Sequence, residues 1–320
     1  MIKGKGFEMP QVAIVGVGLI GRAWSNVFAR AGWDVKLFDA HQETLAEAPE
    51  RIRQSLEDLV DKGGLVTDAA AAAGRIRVAA SLADAVAGAD LVQESGPERI
   101  ADKIAIWKEL DAAAGTETIL ASSSSAIVAS RFSEDLPGRA RCLIAHPVNP
   151  PHVVPIVELC GAPWTDASVI QRAREIYESV GQVPVEVKKE IDGFILNRMQ
   201  AVLLSEALRL VGEGYVSAAD LDKTIAHGLG LRWSFMGPFE TIELNAPGGI
   251  RDYCERFGPT MYELSKLPVT EELWSEANID RILESWGRKP SPEEIAAKSQ
   301  WRDERLAALV QHKRQRPDYD

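Results

Sequence analysis

The sequence has few cysteines, an excess of acidic over basic residues, and no long apolar run. Its three cysteines, Cys142, Cys160 and Cys254, lack CxxC spacing, which argues against a disulfide framework or a metal site. Lys and Arg number 36 against 47 Asp and Glu. A net charge of −11 argues against binding to nucleic acid, because phosphate backbones require clustered cations.

No apolar stretch approaches the roughly 20 residues that a membrane span requires. The first ten residues also lack the apolar segment of a secretory signal. We therefore expect a soluble, cytoplasmic protein that does not bind membranes.

The first part of the sequence alternates between strand and helix patterns. Residues 11–15 form an apolar run that ends at Gly16, and apolar residues then recur at helical spacing from Leu19 to Gly32. Residues 34–39 predict a second strand, and residues 44–61 an amphipathic helix. Further short strands are predicted at 76–78, 91–93, 119–121, 142–145, 156–159 and 183–187. This order is typical of an α/β fold with a Rossmann-type, doubly wound and mostly parallel sheet.

The pattern changes after residue 187. Residues 192–213 read as one long helix, and most of the remaining sequence is helical without strand signals. We therefore predict two domains, a dinucleotide-binding domain over residues 1–190 and an all-α domain over residues 191–320.

A glycine motif joins the first strand to the first helix. Gly16, Gly18 and Gly21 lie in GVGLIG, with Leu19 and Ile20 opening the helix. Such glycines permit a tight turn and close approach of a pyrophosphate, which the free N–H groups of a helix N-terminus attract. The motif in this context predicts a dinucleotide site.

Asp39 indicates which dinucleotide is bound. It ends the second predicted strand, 23 positions after Gly16, where a carboxylate binds the adenosine ribose diol and repels a 2′-phosphate. We therefore expect NAD, although the nearby Lys36 leaves NADP open. The alternative is an ordinary glycine turn beside a solvent-facing acid.

A histidine and a glutamate lie twelve positions apart in HPVNPPHVVPIVELC. Oxidation of a secondary alcohol requires a base for the hydroxyl proton, and imidazole suits this task near neutral pH. His146 is the candidate base, and Glu158 is the candidate carboxylate that orients its ring. His146 considered alone would more often be a structural histidine than a base.

Several motifs together resemble the 3-hydroxyacyl-CoA dehydrogenase superfamily. They are GVGLIG, the serine run at 122–125, HPVNPPHVVPIVELC, EIDGFILNRMQ and MGPFE. A closer likeness within the superfamily is carried by AHPVNPP, VPIVEL, KEIDGF, LNR, GLGLRWSFMGPFET and WRDE. Within it the chain is most similar to the lambda-crystallin group, which are L-gulonate 3-dehydrogenases, and carnitine 3-dehydrogenases share the RW segment. The resemblance implies an NAD-dependent oxidoreductase with a His-Glu pair, and a helical domain that forms a homodimer.

The resemblance also assigns further residues. It implies that Ser125 and Asn197 lie beside the substrate oxygen, where both can donate to developing negative charge. It implies that Glu98 and Lys103 lie near the ribose and nicotinamide end of the cofactor. Ser125 could instead cap a helix over residues 126–132.

Arg232 bears on the substrate. It lies in GLRWSFMGPFE, where a guanidinium could hold a substrate carboxylate through two hydrogen bonds, or could pair with an acidic neighbour. We expect oxidation of the 3-hydroxyl of a small carboxylated substrate such as L-gulonate. The alternatives are a 3-hydroxyacyl-CoA or carnitine dehydrogenase, and a catalytically silent, crystallin-like structural protein that binds NAD.

Overall fold

The structure is a computed structural model that describes residues 9–63, 66–266, 269–287 and 290–316. Its described residues divide into two compact units. The first comprises the residues up to Asn197 together with Ser299–Arg314, and the second comprises those between Arg198 and Lys298 together with Gln315 and Arg316.

The first unit is built on an eight-stranded sheet. The strands are β1 (Gln11–Val15), β2 (Asp34–Phe38), β3 (Ile76–Val78), β4 (Leu91–Glu94), β5 (Ile119–Ser122), β6 (Cys142–Pro147), β7 (Ile156–Gly161) and β8 (Val183–Glu186). Their spatial order is β3-β2-β1-β4-β5-β6-β7-β8. Every neighbouring pair is parallel except β6 and β7. The predicted Rossmann-type α/β fold is confirmed, and the order in which strands join the sheet reverses between β1 and β4, where such sheets bind ligands.

Helices cover the sheet and connect its strands. They are α1 (Leu19–Arg30), α2 (Gln42–Gly63), α3 (Ala69–Ala73), α4 (Leu82–Val86), α5 (Ile100–Ala113), α6 (Ser130–Ser133) and α7 (Ala167–Ser179). The central strands are buried on both faces, and two apolar clusters fill the spaces between sheet and helices. This burial explains why the strands read as continuous apolar runs rather than as alternating patterns.

The regular secondary structure in the described residues of the second unit is all helical. Its helices are α8 (Leu196–Gly212), α9 (Ala218–Thr224), α10 (Gly230–Trp233), α11 (Pro238–Glu243), α12 (Gly249–Ser265), α13 (Glu276–Trp286) and α14 (Pro292–Arg314). The first two residues of α8 and the part of α14 from Ser299 onward belong to the first unit. None of the helices in the described ranges is long and apolar enough to cross a membrane.

The prediction of one helix over residues 192–213 was wrong at its start. Helix α8 begins at Leu196, because Gly193 and Phe194 take positive φ angles of 77° and 48°. Left-handed backbone at two successive positions cannot continue a right-handed helix. The four residues before α8 therefore form a turn, which approaches the candidate site.

Candidate active site

The glycine turn lies between the end of β1 and the start of α1. Gly16 has a φ of 91°, and a Cβ there would lie 2.8 Å from the backbone of Ser95. A Cβ on Gly21 would lie 1.9 Å from the carbonyl oxygen of Gly16. Both glycines are therefore required by close backbone packing.

Gly18 differs from the other two glycines. A Cβ at this position would meet nothing within 4 Å, so the turn is open at the residue that caps α1. No side chain caps the N-terminus of α1, and its first turn carries no acidic residue. The free N–H groups and open space fit the pyrophosphate of a dinucleotide, which the turn from Gly16 to Gly21 would hold.

Asp39 lies directly beside this turn. Its Oδ2 accepts a hydrogen bond from the N–H of Val17 at 2.8 Å, and its Oδ1 accepts one from the N–H of His41 at 2.8 Å. Each carboxylate oxygen keeps a further lone pair for a hydroxyl donor. Lys36 lies on β2, the strand that ends just before Asp39. Its ammonium donates to the carbonyl oxygen of Asp84 at 2.8 Å, which holds the charge of Lys36 beside Asp84.

A buried ion pair lies beneath the ends of β4 and β5. The ammonium of Lys103 donates to both carboxylate oxygens of Glu94 at 2.9 Å, and each side chain is 1% exposed. Glu94 also accepts hydrogen bonds from Ser122 and Trp107. Lys103 therefore supports the strand ends from within, and its predicted contact with the cofactor stays a prediction.

Glu98 holds the turn that carries Ser125. Its carboxylate accepts hydrogen bonds from the Ser124 hydroxyl and from the N–H groups of Ser125, Ala126 and Ile127. Partial burial would raise the pKa of Glu98, but these hydrogen bonds and the charge of Lys103 hold it below its ordinary value. The carboxylate is thus favoured in its charged form.

The turn after β5 does not contain the helix that Ser125 was considered to cap. Helix α6 begins only at Ser130, and the hydroxyl that accepts the N–H of Ile127 belongs to Ser124. Within the part of the chain that the structure describes, the Ser125 hydroxyl makes no hydrogen bond. Its carbonyl oxygen accepts one from the side-chain amide of Asn197 at 3.1 Å. Two of the predicted residues are therefore brought together.

His146 and Glu158 face each other across two antiparallel strands. Their Cα atoms are direct partners in the β6–β7 register, which places their side chains on the same face of the sheet. The Nδ1 of His146 lies 2.9 Å from Oε2 of Glu158, and the side chains are each 4% exposed. A carboxylate beside Nδ1 favours the tautomer with its proton there, which leaves Nε2 as the acceptor.

The second oxygen of Glu158 binds the start of α8. Its Oε1 accepts hydrogen bonds from the N–H groups of Ile195 and Leu196 at 2.9 and 3.0 Å. Phe194, the residue before them, is fully buried, and its ring packs against the His146 imidazole with centroids 5.4 Å apart. Neither Phe194 nor Glu94 was predicted from the sequence, and Gly193 beside Phe194 is the one local signal that favours a break before the helix.

Arg232 lies in α10 of the second unit and is exposed. Its guanidinium makes no hydrogen bond or ion pair with any residue that the structure describes. Its predicted contact with substrate stays a prediction.

Comparisons with known proteins agree with this geometry. Residues 11–191 match the family model for the 3-hydroxyacyl-CoA dehydrogenase NAD binding domain, and residues 193–283 match the model for the C-terminal domain. The chain is 43% identical to the lambda-crystallin homolog of Mus musculus, covering 93% of this chain and 94% of that protein. It is 35% identical to the L-carnitine dehydrogenase of Pseudomonas aeruginosa, covering 95% and 94%.

Solved structures show the same relationship. A 5-formyl-3-hydroxy-2-methylpyridine 4-carboxylic acid 5-dehydrogenase, described as an NAD+ dependent dismutase, superposes with a TM-score of 0.82 at 26% identity, over 97% of this chain and 100% of that one. The 3-hydroxybutyryl-CoA dehydrogenase of Escherichia coli K12 superposes with a TM-score of 0.65 at 28% identity, over 82% and 55%. The chain therefore belongs to the 3-hydroxyacyl-CoA dehydrogenase family, and it is an NAD-dependent oxidoreductase that acts on CH–OH groups.

Proposed function

We propose that this protein oxidises the 3-hydroxyl of a small hydroxy acid such as L-gulonate, with His146 as the general base. The observation that carries the proposal is the 2.9 Å contact between His146 and Glu158 in a nearly solvent-free position. A carboxylate that fixes the imidazole ring and stabilises its protonated form is the arrangement that general-base catalysis requires.

In this mechanism His146, Ser125 and Asn197 act on the substrate hydroxyl, and Glu158 acts through His146. His146 takes the hydroxyl proton on Nε2, and the resulting imidazolium is stabilised by the Glu158 carboxylate. The Ser125 hydroxyl and the remaining N–H of Asn197 donate to the oxygen as its negative charge grows. Bound NAD supplies the acceptor for the hydride that leaves C3.

The preference for a free acid is supported by Arg232. A guanidinium without an acidic partner among the described residues is available to a carboxylate, which a hydroxy acid offers and a thioester lacks. We therefore assign substrate binding to Arg232, as well as to Ser125 and Asn197. Cofactor contacts are a separate proposal, and we assign them to Glu98 and Lys103.

The test of the base is the variant His146→Gln. We expect kcat to fall by roughly 10²- to 10⁴-fold with NAD affinity nearly unchanged, because general-base catalysis contributes about that much. His152→Gln is the matched control, since it changes a nearby histidine in the β6–β7 connection that has no part in the proposed mechanism, and it should retain turnover. Normal activity of His146→Gln would refute the proposed mechanism.

The substrate class is tested by NADH formation on L-gulonate, L-carnitine and 3-hydroxybutyryl-CoA. We expect L-gulonate to be preferred, and Arg232→Gln to raise KM for L-gulonate more than KM for the thioester. A preference for the thioester would support a fatty-acid 3-hydroxyacyl-CoA dehydrogenase. Absence of turnover on every substrate would favour a crystallin-like structural role.

We also propose that the protein is a homodimer in the cytoplasm. Support for the dimer comes from the many exposed apolar side chains of the second unit, which include Met199, Val202, Phe239 and Leu244. Surfaces this apolar are typical of interfaces.

Support for the cytoplasmic compartment comes from Cys142, Cys160 and Cys254, all of which are free thiols, as expected in a reducing environment.

A further inference from the structure

The turn over residues 192–195 and the first residue of α8 contact both members of the proposed catalytic pair. The Phe194 ring packs on His146, and the N–H groups of Ile195 and Leu196 donate to Glu158. All of these residues lie in the first unit. The pair is thus held from one short segment of chain.

Phe194 has an unusual backbone for its residue type. Its φ of 48° lies in the left-handed region, and it is the one such residue other than glycine among the described residues. Bulky side chains rarely adopt this conformation, and they keep it only where the surroundings compensate for its cost. The compensation here comes from complete burial of the ring and from the hydrogen bonds that the next two N–H groups donate to Glu158.

The contact with His146 constrains the imidazole. The two rings are tilted by 37° at a centroid distance of 5.4 Å, within the range of direct aromatic contact. Phe194 belongs to the apolar cluster that also contains Ile144 and Cys160, on the two strands that carry the pair. The ring therefore limits rotation of the imidazole and excludes water beside it.

We propose that Phe194 is a positioning residue, which holds the His146 ring in register with Glu158 while the left-handed turn directs the following N–H groups to the same carboxylate. It acts through His146 and needs no contact with substrate. This inference rests on the proposed function of His146.

The test is the variant Phe194→Leu, which removes the ring but keeps the site apolar. We expect kcat to fall by about 10- to 100-fold, the KM values for NAD and substrate to change by less than about twofold, and the primary deuterium isotope effect on kcat to rise, because a misplaced base slows the chemical step. Phe194→Met also removes the ring, but its flexible, unbranched side chain adapts better to the space left behind, and it serves the same purpose if the leucine variant does not fold.

The matched control is Phe28→Leu. Phe28 is also fully buried, but its ring contacts are with Trp24, Trp33 and Tyr177. We expect this variant to lose stability without a change in the isotope effect. If Phe194→Leu keeps wild-type kcat and isotope effect while His146→Gln is inactive, the positioning role is overturned and the proposed function stands. If His146→Gln is fully active, the proposed function itself fails.

Discussion

The two units bury their apolar residues to very different extents. The first unit encloses large side chains such as Trp24, Phe28 and Trp107 completely. Among the described residues of the second unit, the only buried apolar ones are Ala218 and Ala246, whereas Phe235, Phe239 and many others are exposed. The first unit therefore has its own core, and the second has apolar surface that a single chain leaves in water.

The two units differ in the same way in where they place their charged groups. The first unit also encloses its polar groups, and Glu94, Lys103, His146 and Glu158 all have partners inside it. The ion pairs of the second unit, such as those of Arg209 with Glu206 and Glu213, lie at its surface. Substitutions of equal chemistry should thus have unequal effects in the two units.

The largest effect is expected from Glu94→Ala. Removal of this carboxylate leaves the Lys103 ammonium charged and buried, which typically costs about 3–5 kcal/mol of unfolding free energy. Urea denaturation followed by circular dichroism measures the loss. The double variant Glu94→Leu, Lys103→Met should recover much of it. Arg209→Ala in the second unit should have a far smaller effect, and equal losses at both sites would contradict the comparison.

His152 should give the first unit a pH-dependent stability. Burial, reinforced by Arg30 and Arg302, lowers the pKa of His152 to about 4, and its Nδ1 is buried without a partner in the described structure. Between pH 6.5 and 4 the unfolded chain therefore binds a proton that the folded chain does not, so stability falls as pH falls. The contribution is about 3 kcal/mol over this range.

The variant His152→Gln tests this contribution. We expect its unfolding free energy to decline less between pH 6.5 and 4 than that of the wild type, as followed by urea denaturation at several pH values. Measurements at pH 7.5 isolate any packing effect of the substitution. Parallel pH dependences for the two proteins would show that His152 does not titrate in this way.

A smaller effect is expected from a charge on the exposed surface of the second unit. Val202 is 70% exposed on α8, and Val202→Glu should weaken the proposed dimer by about 100-fold, or about 2.8 kcal/mol, because it buries a charge at the interface. Sedimentation over a range of concentrations measures the change. Val78→Glu is the control, because Val78 is a 48% exposed valine of the first unit. Dissociation by the control alone would reverse the assignment of the interface.

The sheet and the glycine turn were predictable because their signals are local. An apolar run of strand length, glycines at fixed spacing and an acid that ends a strand are each signals carried by a few consecutive residues. The pairing of His146 with Glu158 was also anticipated, and the structure adds its cause, which is their opposite positions in the β6–β7 register. Their catalytic roles stay predictions.

Other features depend on contacts that sequence spacing does not reveal. Lys103 was predicted as a cofactor contact, but its internal partner Glu94 lies on another element, and only the assembled sheet and α5 bring the two together. The start of α8 was misplaced because the apolar periodicity continues through residues 192–195. The backbone there instead takes a turn that lets the N–H groups of Ile195 and Leu196 donate to Glu158, which lies on the distant strand β7.

The path of the chain through α14 has a consequence for biosynthesis. Ala307 and Leu306 in this helix complete an apolar cluster whose other members all precede residue 181. The ribosome must therefore make the part of the second unit that spans Arg198–Lys298 before the first unit can close its core, although domains generally fold in order of their emergence. A nascent chain that stops near residue 290 would present a Rossmann sheet with one helix still missing.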